Sequence, residues 1–444
     1  MSGIFKAYDV RGIYPTELNE DVAYKVGKAF VSLIKPKNVV IGRDMRLSSD
    51  SLFNSLSKGI TEMGADVIEI GLCSSDMVYF AVGFYKYDAG IMITASHNPK
   101  EYNGLKFVKK GAVPISSETG LREIEKIAEK NDFKAAKNKG KITKKDVMQD
   151  YIKNILKFVD IKKIKPLKVV VDAGNGMAGK VMPEIAKHLP IKLIPLYFKL
   201  DGSFPNHIPN PVFEESTIEL KKTIRREKAD LGLAFDGDAD RVGLIDEKEK
   251  FVPGALTTAM VAKKMLSKHP GAKIIYSSTS SWIVAETIKK CKGKPIMSPV
   301  GHSFIKQWMR NYNALFGGEG SGHYYYQDNF YADSAFITAL IVMEMISEEK
   351  KPLSKILEQY KKYFAIEETN FEVEDKGQKI KEIMQKYSSG KINDIDGIRI
   401  EFDDWWFSVR ASGTEPLLRL NLEAKSKKVM EEKARELKNI ITEN

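Results

Sequence analysis

Short β-branched and apolar runs alternate with helix-period segments: "NVVIGRD", "SSDSLFNSLSKGITEMG", "ADVIEIG" and "AGIMITAS" follow one another between residues 38 and 96. This is a βαβ rhythm. Strands that read as continuous apolar runs belong in parallel sheets covered on both faces by helices. "SSD" supplies N-cap residues and "MGAD" a glycine stop for the helix between the first two strands.

The rhythm is interrupted by the polar, lysine-rich stretch "AEKNDFKAAKNKGKITKKD", after which the helix "VMQDYIKNILKFV" leads to a new strand, "KPLKVVVDAGNGMAG". "ADLGLAFDGDADRVGLID" reads as a second strand of that unit. "GAKIIYSSTSSW", "KPIMSPVGHSFIKQWM" and "NALFGGEGSGH" build a third unit. The tail differs: "DGIRIEFDDWWFSVRASGTEPLLRLNLEAKS" alternates like an antiparallel sheet and is followed by the amphipathic "KVMEEKARELKNIITEN". A chain of 444 residues exceeds what one core usually supports, so several domains are expected. We expect three successive α/β domains with mixed, mostly parallel sheets (1–150, 151–250 and 251–365) and a C-terminal α+β domain (366–444), with no visible sequence repeat.

Charge and cysteine content narrow the function. Lysine and arginine total 70 against 59 acids, a net +11, but the basic residues alternate with acids in helices such as "LREIEKIAEK". Such faces are solvated, an anionic small substrate accounts for the excess equally well, and no nucleic-acid partner is expected. The two cysteines, Cys73 and Cys291, have neither disulfide-framework nor zinc spacing. The N-terminus lacks a signal-peptide core, and no uncharged run reaches membrane-spanning length. The expectation is a cytoplasmic protein without a membrane partner.

Four stretches place unusual polar residues at strand ends, where open parallel sheets bind ligands. In "GIMITASHNPKEYNGLKF", Ser96 and His97 follow an apolar run and Pro99 keeps Asn98 out of the helical region, with a further turn expected at Asn103-Gly104. A serine there, its hydroxyl exposed, can be a nucleophile or phosphoryl carrier; an N-cap is the plain alternative. In "LAFDGDADR", the repulsion among Asp236, Asp238 and Asp240 calls for a cation, and all-oxygen ligands point to Mg²⁺. An EF-hand is excluded because Arg241 stands where that loop needs glycine, although Glu247 falls at its last ligand position. "LFGGEGSGH" sets Glu319, Ser321 and His323 among glycines, suited to sugar hydroxyls. "VRASGTEP" groups Arg410, Ser412, Gly413 and Thr414 as a compact phosphate clamp would need, a hairpin turn with an incidental arginine being the plain alternative.

Taken together and in order, "TASHNPKEYNG", "DGDADR", "GEGSGH" and "RASGTEP" resemble the four signature loops of the α-D-phosphohexomutase family. The resemblance extends to "YDVRG", "GRDMRLSS", "DAGNGMAG" and "DGSFPNHIPNP", and so to nearly the whole chain. It implies four domains around a central cleft and an intramolecular phosphotransferase that interconverts hexose 1-phosphate and hexose 6-phosphate. It further implies that Ser96 is phosphorylated and joins Asp236, Asp238 and Asp240 around one Mg²⁺. Arg11 and Arg241 would neutralise the transferring group, and Lys106 and His97 are candidates for acid and base work. Glu319 and Ser321 would read sugar hydroxyls, His302 and His323 would line the cleft, and Arg410, Ser412, Gly413 and Thr414 would hold the spectator phosphate. Hexose 1,6-bisphosphate would be both intermediate and activator, and the protein a monomer or homodimer.

The sequence departs from many mannose and glucose mutases of that family at Gly320, where they carry methionine, and "IIYSSTSSW" lacks a lysine found in some bacterial members. "GEGSGH" followed by "YYYQDNFYADSAF" looks more like a phosphomannomutase/phosphoglucomutase than a phosphoglucosamine mutase. The rival from another class is an aspartate-nucleophile phosphatase, since Asp236-Gly-Asp238 at a strand end resembles a D-x-D start.

Overall fold

The computed structural model describes residues 1, 3–411 and 417–442. In the first unit, the strands Asn38–Arg43, Asp66–Leu72 and Ala89–Ile93 are mutually parallel, Tyr102–Lys109 runs antiparallel to Ala89–Ile93, and Val10–Ile13 adds the edge strand. Alternation divides the side chains between two cores. Val39, Ile41, Ile91 and Ile93 pack with Phe30, Leu52 and Phe107 on one face, and Val40 and Met92 with Val78 and Val82 on the other. The polar stretch after residue 128 is not wholly a linker, because Ile142–Lys144 pairs with Asp66–Leu72 as the opposite edge.

The turn expected at Asn103-Gly104 is absent. Both residues lie inside the strand Tyr102–Lys109, and the glycine serves close approach: a Cβ at Gly104 would lie 2.4 Å from the Val10 carbonyl oxygen and 2.7 Å from that of Thr94. Asn103 turns inward, its amide donating to Ser48 Oγ at 2.8 Å.

"ADLGLAFDGDADRVGLID" forms two strands instead of one, Leu231–Phe235 and Val242–Ile245, antiparallel and joined by the aspartate loop. The same device recurs in each α/β unit. A strand in parallel pairing ends, a polar loop follows, and an antiparallel strand returns: Ala89–Ile93 to Tyr102–Lys109, Leu231–Phe235 to Val242–Ile245, and Phe316–Gly318 to Tyr324–Tyr326. This is a structural repeat that the sequence conceals, since the loops differ in length and share no residues.

The tail is an antiparallel sheet in which Leu417–Ala424 lies between Trp405–Ala411 on one side and Phe364–Ala365 and Thr369–Glu372 on the other. Its helices Lys376–Lys386 and Lys427–Thr442 cover a separate core of Phe371, Ile383, Phe407, Val409, Leu437 and Ile440. By contrast one apolar core runs through the first three units, from Val78 and Tyr151 past Phe235 to Met260 and Phe336. The tail docks on the third unit largely through polar contacts: Arg399 donates to the carbonyls of Ser278 at 2.7 Å and Ser280 at 2.9 Å, and Glu423 accepts from Trp282 N–H at 3.0 Å. Among the described residues the tail core shares no buried apolar side chain with the core of the first three units.

Candidate active site

The strand ends bring the three loops together. Ser96 follows Ala89–Ile93 with φ of +50°, its N–H bonded to Thr94 Oγ1 at 2.8 Å. Against expectation its side chain is buried, since the aspartate loop closes over it. Ser96 Oγ donates to Asp236 Oδ2 at 2.6 Å, and His97 Nδ1 lies 3.2 Å from Ser96 Oγ. Burial, then the charges of Arg241 and Arg11, holds the His97 pKa well below the usual imidazole range, so the ring is neutral.

Asp236, Asp238 and Asp240 are all buried, and one carboxylate oxygen from each can be chosen so that the set lies within 4.8 Å of one another. Lys106, on Tyr102–Lys109, inserts its ammonium between two of them, 2.6 Å from Asp238 Oδ2 and 2.6 Å from Asp240 Oδ2. Burial works to lower the Lys106 pKa, but these two carboxylates carry it well above the ordinary value. The remaining oxygens, Asp238 Oδ1 and Asp240 Oδ1, are buried with no hydrogen-bond partner among the described residues, the second in charge contact with His323 Nε2 at 3.3 Å. Unpartnered carboxylate oxygens in an all-oxygen set fit a hard divalent cation.

Two arginines face this loop. Arg11 donates to Asn98 Oδ1 at 2.7 Å and to Asp9 Oδ2 at 2.5 Å, while among the described residues its buried Nε has no hydrogen-bond partner. Arg241 bonds Asp236 Oδ1 through its backbone N–H at 3.1 Å and places Nε 3.7 Å from Asp236 Oδ2.

The loop of the third unit is wired to the same point. Glu319 accepts from Gly301 N–H at 2.8 Å, Tyr325 OH at 2.7 Å and Ser321 Oγ at 3.2 Å. Burial alone would raise its pKa, but His323, Tyr325 and Gly301 hold it down to about 2. Burial and Arg241 act to lower the His323 pKa, yet Asp240 and Glu319 bring it up to about 9. The protonated ring therefore meets Arg241 Nε, 3.3 Å away, as a neighbouring cation and not as an acceptor. His302 opens the helix His302–Tyr312, 6.1 Å from His323 between ring centroids, and burial followed by Lys306 keeps it neutral.

In the tail, Arg410 lies at the end of Trp405–Ala411 with Nη2 3.3 Å from Glu368 Oε2, and among the described residues its buried Nε has no partner. Ser412, Gly413 and Thr414, expected beside it, lie outside the described residues.

Comparison with known proteins decides the family. The phosphoglucomutase/phosphomannomutase α/β/α domains I, II and III match residues 2–135, 149–250 and 253–363, and the C-terminal domain of that family matches 368–440. The chain belongs to the phosphoglucomutase/phosphomannomutase family. It is 40% identical to a phosphomannomutase of Vibrio cholerae, with 98% of each chain covered, and 38% identical to a protein of Xanthomonas campestris named phosphohexose mutases, again with 98% of each covered. A crystal structure of a phosphoglucomutase/phosphomannomutase family protein from Burkholderia thailandensis superposes with a TM-score of 0.92 at 30% identity, covering 99% of this chain and 97% of that one. As a member of this family the chain is an enzyme, a hexose-phosphate mutase of the isomerase class.

Several residues that complete this mutase site were given no role by the sequence reading. Ser75 bonds Asp238 through its hydroxyl, and its N–H donates to the Asp238 carbonyl at 3.0 Å. Tyr8 of "YDVRG" donates to the Val300 carbonyl at 3.2 Å, joining the first unit to the third. Lys306 pairs with buried Asp333 at 2.8 Å. The spacing of Lys306 one helical turn after His302 was the only available signal for these. Among the described residues, no helix is long and apolar enough to cross a membrane.

Proposed function

We propose that Ser96 is the phosphoryl carrier of this mutase and that mannose and glucose phosphates are its substrates. The observation carrying the reading is the 2.6 Å contact of Ser96 Oγ with Asp236 inside a buried carboxylate cluster faced by Arg11 and Arg241. In the first step the free hydroxyl of the sugar phosphate attacks the phosphorus of phospho-Ser96. A new sugar O–P bond forms as the Ser96 Oγ–P bond breaks and the proton of the attacking hydroxyl ends on Ser96 Oγ, giving a hexose 1,6-bisphosphate and a free serine. The intermediate turns around, and its other phosphate returns to Ser96 by the reverse exchange, so no water is consumed.

Arg11 and Arg241 offset the charge of the moving group, and preorganised cations supply most of the acceleration. His97 Nδ1, 3.2 Å away, is the proton partner of Ser96 Oγ. Lys106, kept as ammonium, neutralises Asp238 and Asp240 and adds positive charge beside them. Asp236, Asp238, Asp240 and phospho-Ser96 would hold one Mg²⁺, which supplies Lewis-acid charge neutralisation at the phosphoryl oxygens when bound. Glu319, Ser321, His323 and His302 bind the sugar, while Arg410 with Ser412, Gly413 and Thr414 grips the phosphate that does not react. Separating that grip from the chemistry lets the clamp accept either end of the bisphosphate.

The relatives named phosphomannomutase, at 38% to 40% identity over nearly the whole chain, support mannose phosphates. The phosphohexose mutases of Xanthomonas at 38% support a second hexose. An Asp236 nucleophile has no open approach, because Ser96 Oγ covers its carboxylate. The test is transfer of radioactive phosphate from labelled glucose 1,6-bisphosphate to the protein. One label per chain, absent from Ser96→Ala, supports the carrier; equal labelling of the variant contradicts it.

A further inference from the structure

The serine loop is gripped from below by a single buried side chain that the phosphoryl-transfer scheme does not use. Arg46 Nη1 donates to the carbonyls of Pro99 at 2.7 Å and Tyr102 at 2.8 Å, and Nη2 to those of Ser96 at 2.9 Å and Asn98 at 2.6 Å. All four terminal N–H groups of the guanidinium are thereby directed at one loop. Nε makes no hydrogen bond among the described residues but lies in charge contact with Asp44, 3.3 Å from its Oδ2, and both side chains are fully buried. Asp44 is fixed in turn by Ser49 Oγ at 2.8 Å and by Arg46 N–H at 3.0 Å. The ring of Phe204, from the second unit, covers the guanidinium with its centroid 5.0 Å away.

This grip falls where the backbone resists its own geometry. Ser96 has φ of +50°, a left-handed conformation that is strained for a non-glycine residue and persists only when its surroundings over-determine it. Its N–H is tied to Thr94 Oγ1 and its carbonyl to Arg46, so both flanking peptides are fixed. From above, Gly237 closes on the same carbonyl so tightly that a Cβ there would lie 2.6 Å from the Ser96 oxygen. From this backbone the hydroxyl points at Asp236 Oδ2, 2.6 Å away.

We propose that Arg46 is the positioning residue of the serine loop, holding the Ser96 backbone so that its oxygen stays on the aspartate cluster through both phosphoryl transfers. The inference rests on Ser96 being the carrier. Arg46 touches no reacting atom in this role, and a lysine cannot replace it: one ammonium keeps the charge opposite Asp44 but cannot reach four carbonyls with fixed geometry.

The test uses the Mg²⁺-loaded, bisphosphate-primed enzyme and its Arg46→Lys and Arg46→Ala variants. Misplacement of a reacting group by about 1 Å costs on the order of 10²-fold, so kcat for Arg46→Lys should fall by about that factor. KM for the hexose phosphate should stay within about threefold, because sugar and clamp residues are untouched. The phosphoenzyme of the variant should lose phosphate to water several-fold faster, and millimolar guanidinium should restore part of the activity of Arg46→Ala but not that of the unaltered enzyme. A folded Arg46→Lys enzyme with kcat within about threefold of normal, or a change confined to KM, overturns the proposal. If Arg46→Lys does not fold, Asp44→Asn should show the same kcat-only loss in milder form, and an unchanged kcat there overturns it equally. Failure of the unaltered protein to take up phosphate on Ser96 would remove the carrier reading itself. Normal uptake with an indifferent Arg46 removes this inference alone.

Discussion

The backbone N–H of Val300 donates to the Asp396 carboxylate at 3.0 Å, across the boundary between the third unit and the tail. The next residue, Gly301, donates its N–H to Glu319, and the Val300 carbonyl accepts from Tyr8. Two successive peptide groups thus meet the first unit, the Glu319 loop and the tail. Replacing Asp396 by alanine should loosen the tail from the sugar loop and raise KM for hexose phosphate roughly tenfold with a smaller change in kcat. Steady-state kinetics check this, and an unchanged KM would show that the tail is placed by other contacts.

The polar joint between the tail and the remaining core also bears on closure. The proposed phosphoserine has to be kept from water while the bisphosphate turns, and movement of the tail over the cleft would accomplish this. X-ray scattering should show a smaller radius of gyration with a hexose 1,6-bisphosphate than without it. Identical profiles would count against closure.

Gly237 offers a test of the contact between serine and aspartate loops. Alanine there must push the loops apart, since its Cβ would sit 2.6 Å from the Ser96 carbonyl oxygen. The expected cost is about 1–3 kcal/mol of stability from overpacking and a loss of kcat on the order of 10²-fold. Thermal melting and turnover measure the two separately; normal turnover in a destabilised variant would mean the loop spacing is not critical.

The carboxylate cluster makes a prediction about metal removal. Chelated enzyme should melt lower than enzyme with excess Mg²⁺, since a ligand bound only by the folded state stabilises it. At a hundredfold excess over the dissociation constant the gain is about 2.7 kcal/mol. Asp238→Asn and Asp240→Asn should lose most of this metal-dependent shift. A shift that survives in both variants would place the ion elsewhere.

What was legible in the sequence were the loops, because Ser96, the aspartates and Glu319 stand out as polar residues directly after apolar strands. The alternation of strand and helix was equally plain. The hairpins were not: Asn103-Gly104 resembles a turn by composition, and only the neighbouring carbonyls of Val10 and Thr94 show why glycine is needed inside a strand. Ser96 was expected exposed, and its burial depends on a loop 140 residues away. Arg46, Ser75 and Tyr8 carry no local signal of their roles, since each acts through contacts whose partners are distant in the chain.

Asp76 ties three units together, accepting from Ser74 Oγ and Tyr151 OH at 2.5 Å and from Ser334 Oγ at 2.7 Å. Burial outweighs these donors and raises its pKa to about 7 from 3.8. The folded state therefore binds a proton that the unfolded state has released, and this contribution to stability is lost as pH rises between those values. Urea midpoints at acid and neutral pH should reveal the slope, and Asp76→Asn should flatten it. The same slope in the variant would assign the pH dependence to other groups.

The most direct test of the central claim is phosphorus NMR of the protein with mannose 1-phosphate, Mg²⁺ and a trace of hexose 1,6-bisphosphate. The expected result is growth of mannose 6-phosphate with no inorganic phosphate, repeated with glucose 1-phosphate and abolished by Ser96→Ala. Growth of inorganic phosphate in its place, or turnover undiminished in Ser96→Ala, would contradict a phosphoserine mutase.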